Sequence, residues 1–238
     1  MNDHRFGEKY RTKASNLENC IGNFGISSST VLKKYENDLF VDGVGKIEIF
    51  RQILSGSPDQ TTLDYLDRRC TEGFGHYRGD RSGAEYAADL ILGWIQEDTF
   101  LEIFVENGLL VELAGHDSGR EFLKPGEISS DSDLLVSFGD NSRKVELAYD
   151  STGFWRKKDQ YDMRDNKYRK LMSEQAIIFG VAIPSAEAFV IDLSAPNNYE
   201  IVYIPLHYIY RKPAFQLQHV AEILTSIPSA ISLLKSIL

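Results

Sequence analysis

The stretch DLLVSFGDNSRKVELAY, residues 133–149, decides the fold. It holds two short apolar runs, 133–138 and 144–149, each of strand length, and between them GDNS at 139–142 has the composition of a hairpin turn. Downstream, residues 158–175 are compatible with a helix anchored by Tyr161, Tyr168, Leu171 and Met172. AIIFGVAI at 176–183 follows, wholly apolar and rich in β-branched residues, which predicts a buried strand closed by Pro184. Further strands are expected at 109–114 (LLVELA), 187–193 (EAFVIDL) and 200–206 (EIVYIPL). A hairpin feeding a helix and then a buried strand predicts an α/β (α+β) fold with a mixed central sheet flanked by helices.

Upstream the character changes. In 84–104, Leu90, Ile91, Trp94, Ile95, Leu101 and Phe104 recur at helical spacing, and 14–70 reads as mostly helical. Residues 71–83, TEGFGHYRGDRSG, read as a loop; their glycines lack a GK[ST] ending and a preceding strand, which argues against a phosphate loop. The tail 215–238 reads as an amphipathic helix interrupted near Pro228. The chain is expected to divide into a helical region, 1–76, and a core, 77–238.

At 238 residues, 42% hydrophobic and 26% charged, the composition is that of a globular protein and excludes disordered and fibrous classes. The two cysteines, Cys20 and Cys70, form no CxxC pair, so neither a zinc site nor a disulfide framework is expected. The N-terminus has no apolar run and no stretch of eighteen apolar residues occurs; the expectation is a cytoplasmic protein with no membrane partner. Net charge is −9, which argues against nonspecific nucleic-acid binding, but the charge is segregated. Residues 81–142 carry 3 Lys/Arg against 13 Asp/Glu, whereas 143–170 carry 9 against 5. An acidic block beside a basic one suits a site that holds a divalent metal and grips a polyanion, although two solvated faces would look the same.

Asp133 opens one strand of the hairpin, and Glu146 lies thirteen residues on in the other. Across a tight turn both reach the same end of adjacent strands and make a hard, oxygen-rich pocket suited to Mg²⁺. Strand side chains alternate, so position 148 shares the face of Glu146.

Asp133 in SSDSDLLVSF, followed by Glu146-Leu147-Ala148 in RKVELAYD, resembles the PD-(D/E)XK superfamily of restriction-endonuclease-like nucleases, over about residues 80–185. The resemblance implies a metal held by Asp133, Glu146 and the carbonyl of Leu147, and a type II restriction activity on double-stranded DNA. It also implies an acidic residue on the helix before the core, here Glu85, facing the metal. Under this resemblance 1–76 would be a recognition or dimerisation region and 77–238 the nuclease core. Junction-resolving and repair nucleases share the fold and stand as alternatives. The family lysine, two residues after the glutamate, is replaced by Ala148. Three accounts stand: a designed inactivating replacement, a lysine displaced to Lys144 or Lys158, or a relative that binds nucleic acid without cutting. The intact flanking residues and both retained carboxylates favour the first.

Arg156, Lys157, Lys158, Arg164, Lys167, Arg169 and Lys170 form a basic strip that would neutralise DNA phosphates, with Phe154 and Trp155 packing on sugar or base. Interleaved Asp159, Asp162 and Asp165 could instead pair with them at helical spacing. Residues 17–35 loosely fit a helix-turn-helix: Gly25 as the turn, Cys20, Ile21, Ile26 and Val31 packing, Ser27 to Thr30 facing a groove, and Lys33 and Lys34 near phosphates. An ordinary helical hairpin fits them as well. His116-Asp117 reads as a turn rather than a catalytic pair, and His219 as a surface or interface residue of the tail helix. A palindromic site would match a homodimer, with the tail as its interface.

Overall fold

The computed structural model describes residues 3–74, 81–114, 119–122 and 132–238, and is a mixed α/β fold. It divides into two compact units, Met1–Ile103 with His116–Ile128, and Phe104–Gly115 with Ser129–Leu238. This division does not coincide with the boundary at 76/77 expected from the sequence.

The first unit is helical: α1 (Asp3–Ile21), α2 (Ser28–Leu32), α3 (Lys46–Ser55), α4 (Gln60–Phe74) and most of α5 (Gly83–Glu106). α5 belongs here because its first turns are tied to α1: the Tyr10 hydroxyl donates to the Glu85 carbonyl at 2.8 Å, and the Lys13 ammonium meets Asp89 at 2.7 Å. The core is aromatic, with Phe40, Phe50, Trp94 and Phe122 in mutual ring contact. Beside it lies a buried ionic knot in which Asp98 takes Arg120 at 2.7 Å and Lys34 at 2.6 Å and accepts from the Tyr35 hydroxyl.

The helix-turn-helix template meets this unit in part. Cys20, Ile21, Ile26 and Val31 are buried, and Gly25 turns the chain at φ +69°. The second helix, however, has five residues, and Ser28 is buried with its N–H on Glu18 at 3.0 Å. Lys34 is held by Asp98. What remains is a short helical corner capped by Ser27.

The second unit is built on a six-stranded mixed sheet in the order β1-β2-β3-β5-β6-β9: β1 (Leu110–Leu113), β2 (Leu134–Phe138), β3 (Asn141–Asp150), β5 (Ile177–Ala182), β6 (Glu187–Asp192) and β9 (Thr225–Ser226). Neighbours are antiparallel except β3 and β5, which are parallel. A parallel pair needs a long crossover, and residues 151–176 supply it. The crossover carries α6 (Phe154–Lys158), β4 (Gln160–Arg164) and α7 (Asp165–Ser173). The expected single helix over 158–175 is therefore replaced by strand then helix. QYDMR alternates Tyr161 and Met163 inward, and β4 pairs with β8 (Ala214–Gln218), which also pairs with β7 (Ile201–Ile204) in a three-stranded sheet.

The tail is likewise corrected. It contains β8, α8 (Val220–Ile223), β9 and α9 (Ile227–Ile237). Pro228 does not interrupt a helix but stands at the start of α9, after the Ser226 cap, where its missing N–H costs nothing. Ile227, Ala230, Ile231 and Leu234 are buried as α9 packs on β6, so the tail's apolar face is covered by its own sheet. His219 lies on no helix; it precedes α8 in the left-handed region at φ +57°, exposed beside Asp159 and Glu200.

Candidate functional site

The hairpin forms as expected, with a tighter turn. Phe138 pairs Asn141, leaving Gly139-Asp140 as a two-residue turn with Gly139 at φ +61°, the sign glycine accepts without strain. Leu134 pairs Val145, so Asp133, one step further, stands opposite Glu146. One Asp133 oxygen accepts the N–H of Leu147 at 2.8 Å. Burial pushes the Glu146 carboxyl well above the usual carboxylate range; the adjacent Asp133 carboxylate adds to this and Lys167 opposes it.

Lys167, on the first turns of α7, places its ammonium 2.6 Å from Glu146 Oε2, with both side chains mostly buried at 17% and 12% exposure. It was expected on the outer phosphate strip. Its place depends on where β4 ends and α7 begins, which periodicity in 158–175 does not reveal. The displaced-lysine candidates do not reach Glu146: Lys144 pairs Glu174 at 2.6 Å, and Lys158 is an exposed residue ending α6.

A second neighbour, read in the sequence only as an apolar helix anchor, is Tyr161 of β4. Burial pushes its hydroxyl well up, reinforced by Glu146, Tyr210 and Asp133. Its ring meets Trp155 at 5.1 Å and Phe189 at 5.7 Å between centroids. Ala148 belongs to this aromatic cluster and pairs with Gly180 on β5, over which the Phe189 ring lies. Small residues at 148 and 180 leave room for the rings, so alanine at 148 has a packing reason of its own. Asp150, buried two residues on, accepts the N–H of Trp155 at 2.8 Å and fixes the start of α6.

Glu85 lies in the helical unit and serves its helix. It accepts the N–H of Ser82 at 3.0 Å while its own N–H donates to the Ser82 hydroxyl at 3.1 Å, a reciprocal capping box. The signal was present as S-x-x-E at the helix start.

The basic strip separates into engaged and open members. Arg156 forks onto Glu187 with contacts of 2.6 and 3.1 Å, Lys170 pairs Glu174 at 3.1 Å, and Arg169 pairs Asp165 at 2.8 Å. Lys157, Lys158 and Arg164 are exposed with no carboxylate partner among the described residues. Trp155 is buried in the core and cannot stack on a base without leaving it. His116 and Asp117 lie outside the described residues.

Among the described residues no group of three or more Asp, Glu, His or Cys side chains could hold a metal. Two carboxylates are nonetheless a donor set that Mg²⁺ uses, because it keeps several waters and takes substrate phosphates as further ligands. Burial is the main cause of the raised Glu146 carboxyl and the neighbouring Asp133 charge adds to it; a cation between the pair would relieve that second contribution. Among the described residues no helix is long and apolar enough to cross a membrane.

Comparison with family models, with curated proteins and with solved structures returns no match for this chain.

Proposed function

We propose that the chain is a metal-dependent nuclease that hydrolyses phosphodiester bonds in double-stranded DNA. One observation carries this reading: Asp133 and Glu146 stand opposite each other on neighbouring strands, with the Lys167 ammonium 2.6 Å from Glu146. Two carboxylates and a cation within a mostly buried site are groups that can hold a metal ion and stabilise charge during in-line attack on a phosphodiester.

Asp133, Glu146 and the Leu147 carbonyl would hold the Mg²⁺. When bound, the ion supplies polarisation of the scissile phosphate and a lowered pKa for the attacking water. Asp133 is held in place by the Leu147 N–H, and Glu146 by burial beside Lys167. Lys167 takes over the task of the absent residue-148 lysine, offering a positive charge where charge accumulates on the phosphate. The open cations Lys157, Lys158 and Arg164 supply phosphate contacts. Buried, unpaired thiols at Cys20 and Cys70 agree with a reducing cytoplasm, and a homodimer would match a palindromic target.

The test is incubation of the unaltered chain with plasmid DNA and Mg²⁺ beside Glu146→Gln and Lys167→Met. Cleavage that needs Mg²⁺, and that falls by about 10² to 10³ in rate in each variant, is expected. Equal cleavage by Glu146→Gln would refute the site. A second reading rests on the same ion pair: with Glu146 already neutralised internally, the site is self-sufficient without metal, as in a binder that does not cut. DNA retention with no cleavage under any divalent ion decides for it.

A further inference from the structure

The nuclease reading does not use the connection from β7 to β8, PLHYIYRKP at 205–213. Leu206, Tyr208 and Ile209, three of four successive residues, are 69%, 58% and 56% exposed. Single apolar residues on a surface are ordinary, but a contiguous group marks a contact site.

The loop is also rigid by construction. His207 is 1% exposed and points inward between two outward residues. Its Nδ1 accepts the N–H groups of Ile209 and Tyr210, each at 3.3 Å, and its Nε2 faces the Asp162 carboxylate of β4 at 3.1 Å. Tyr210 stacks on the imidazole at 4.6 Å and donates its hydroxyl to the Asp162 carbonyl at 3.1 Å. Two backbone bonds, His207 N–H to Lys212 O at 3.0 Å and Arg211 N–H to His207 O at 2.9 Å, close the turn. A histidine latch of this kind holds the apolar tips outward before any partner arrives, which lowers the ordering cost of binding.

The charge points to the partner. In a chain of net charge −9, residues 201–218 contain no acidic residue, and Arg211 and Lys212 are exposed with no carboxylate partner among the described residues. The loop ends at Pro213, whose carbonyl accepts the N–H of Asp165 at 3.3 Å, at the start of the helix that carries Lys167. A polyanion engaged at the Asp133–Glu146 pair, beside Lys167, therefore meets the helix to which this loop is bonded.

We propose that this loop is a DNA wedge: Leu206 and Ile209 insert between base steps of a duplex from a groove, while Arg211 and Lys212 neutralise the phosphates on either side. Apolar side chains used in this way unstack a step and bend the duplex toward added contacts. The proposal rests on the nuclease reading for its choice of partner.

The experiment uses the full chain in EDTA, where no cutting occurs, and a mixed-sequence duplex carrying 2-aminopurine. Affinity is read by anisotropy across a salt series, and unstacking by 2-aminopurine brightening. The variants are Leu206→Ala/Ile209→Ala and Arg211→Ala/Lys212→Ala, each first shown to melt like the unaltered chain. Loss of the cations should weaken binding and reduce the log–log salt slope by about two units. Loss of the apolar pair should weaken binding roughly tenfold with the slope unchanged and abolish the brightening. Unaltered affinity in both variants overturns the wedge. So does loss of binding to phosphatidylserine vesicles, or of self-association, with DNA binding intact, since the patch is then a membrane or dimer contact. The two readings fail separately. Variants that lose DNA binding in a chain that never cuts would keep the wedge and reject the nuclease. Variants that bind and cut normally would do the reverse.

Discussion

Replacing Gly180 by alanine tests whether the aromatic cluster beside Glu146 is as tightly packed as its geometry implies. In an ordinary strand the change would stabilise by about 0.4–1 kcal/mol, because the unfolded chain loses freedom. Here a β-carbon at 180 would stand 2.5 Å and 2.7 Å from Cε1 and Cε2 of Phe189, and closer still to Cζ, where about 3.5–4.0 Å is the comfortable separation. Phe189 is fully buried, and its ring is backed by Trp155 at 5.0 Å and Tyr161 at 5.7 Å between centroids. The ring must therefore move by roughly 1 Å or more against other rings, an overpacking that costs about 1–3 kcal/mol. The clash outweighs the entropic gain, and a net loss of about 1–2 kcal/mol is expected. For a chain of this size that is a fall of about 2–8 °C in melting temperature. The assay is guanidinium unfolding followed by tryptophan fluorescence in a Trp94→Phe background, so that Trp155 reports its own unit. A cycle with Phe189→Leu completes it. Removing the ring should recover most of the loss, with a coupling energy of at least about 1 kcal/mol. A neutral or stabilising Gly180→Ala, or a coupling below about 0.5 kcal/mol, would refute the packing account.

Ala148→Lys should destabilise by about 1–3 kcal/mol through the same cluster and should not raise any Mg²⁺-dependent cleavage, since Lys167 already faces Glu146; faster cutting by that variant would return the catalytic position to 148. Burial pushes the Asp192 carboxyl up, but hydrogen bonds from Arg143 and Ser194 outweigh it and hold it at about 2. Its stabilisation is thus complete above the ordinary value of 3.8 and lost as pH falls toward 2. Asp192→Asn should lower stability by about 1 kcal/mol at neutral pH after allowing for solvent screening, and a gap that persists unchanged at the acid end of a pH series of melts would contradict this. Glu85→Ala should cost about 0.5–2 kcal/mol through the lost capping box while leaving the Mg²⁺ requirement of cleavage as it was; a changed metal dependence would place Glu85 at the site. Lys157→Ala/Lys158→Ala should flatten the salt dependence of DNA binding by about two units, whereas Arg156→Ala, whose guanidinium is already engaged by Glu187, should leave the slope unchanged.

Local pattern carried much of this protein. The hairpin, its turn at Gly139, the buried strand at 177–182 and the long helix from residue 83 all follow from apolar period and punctuation within a dozen or so residues. The opposition of Asp133 and Glu146 followed too, because a tight hairpin converts spacing in sequence into register. Where a neighbour from far along the chain decides, the sequence was silent. QYDMR becomes a strand because β8, some fifty residues later, lies alongside it. That strand in turn sets where α7 begins and which of its basic residues points inward. Lys167 therefore meets Glu146, while Arg156 and Lys170, of the same type in the same strip, meet other carboxylates. Ala148 was conspicuous in sequence as a missing lysine; only the packing of Trp155, Tyr161 and Phe189 over Gly180 shows why a small residue stands there. Charge and polarity are properties of single residues and can be counted along a chain. Which cation faces which carboxylate, and which side chain has room to exist, depends on distances between segments that only the folded backbone sets.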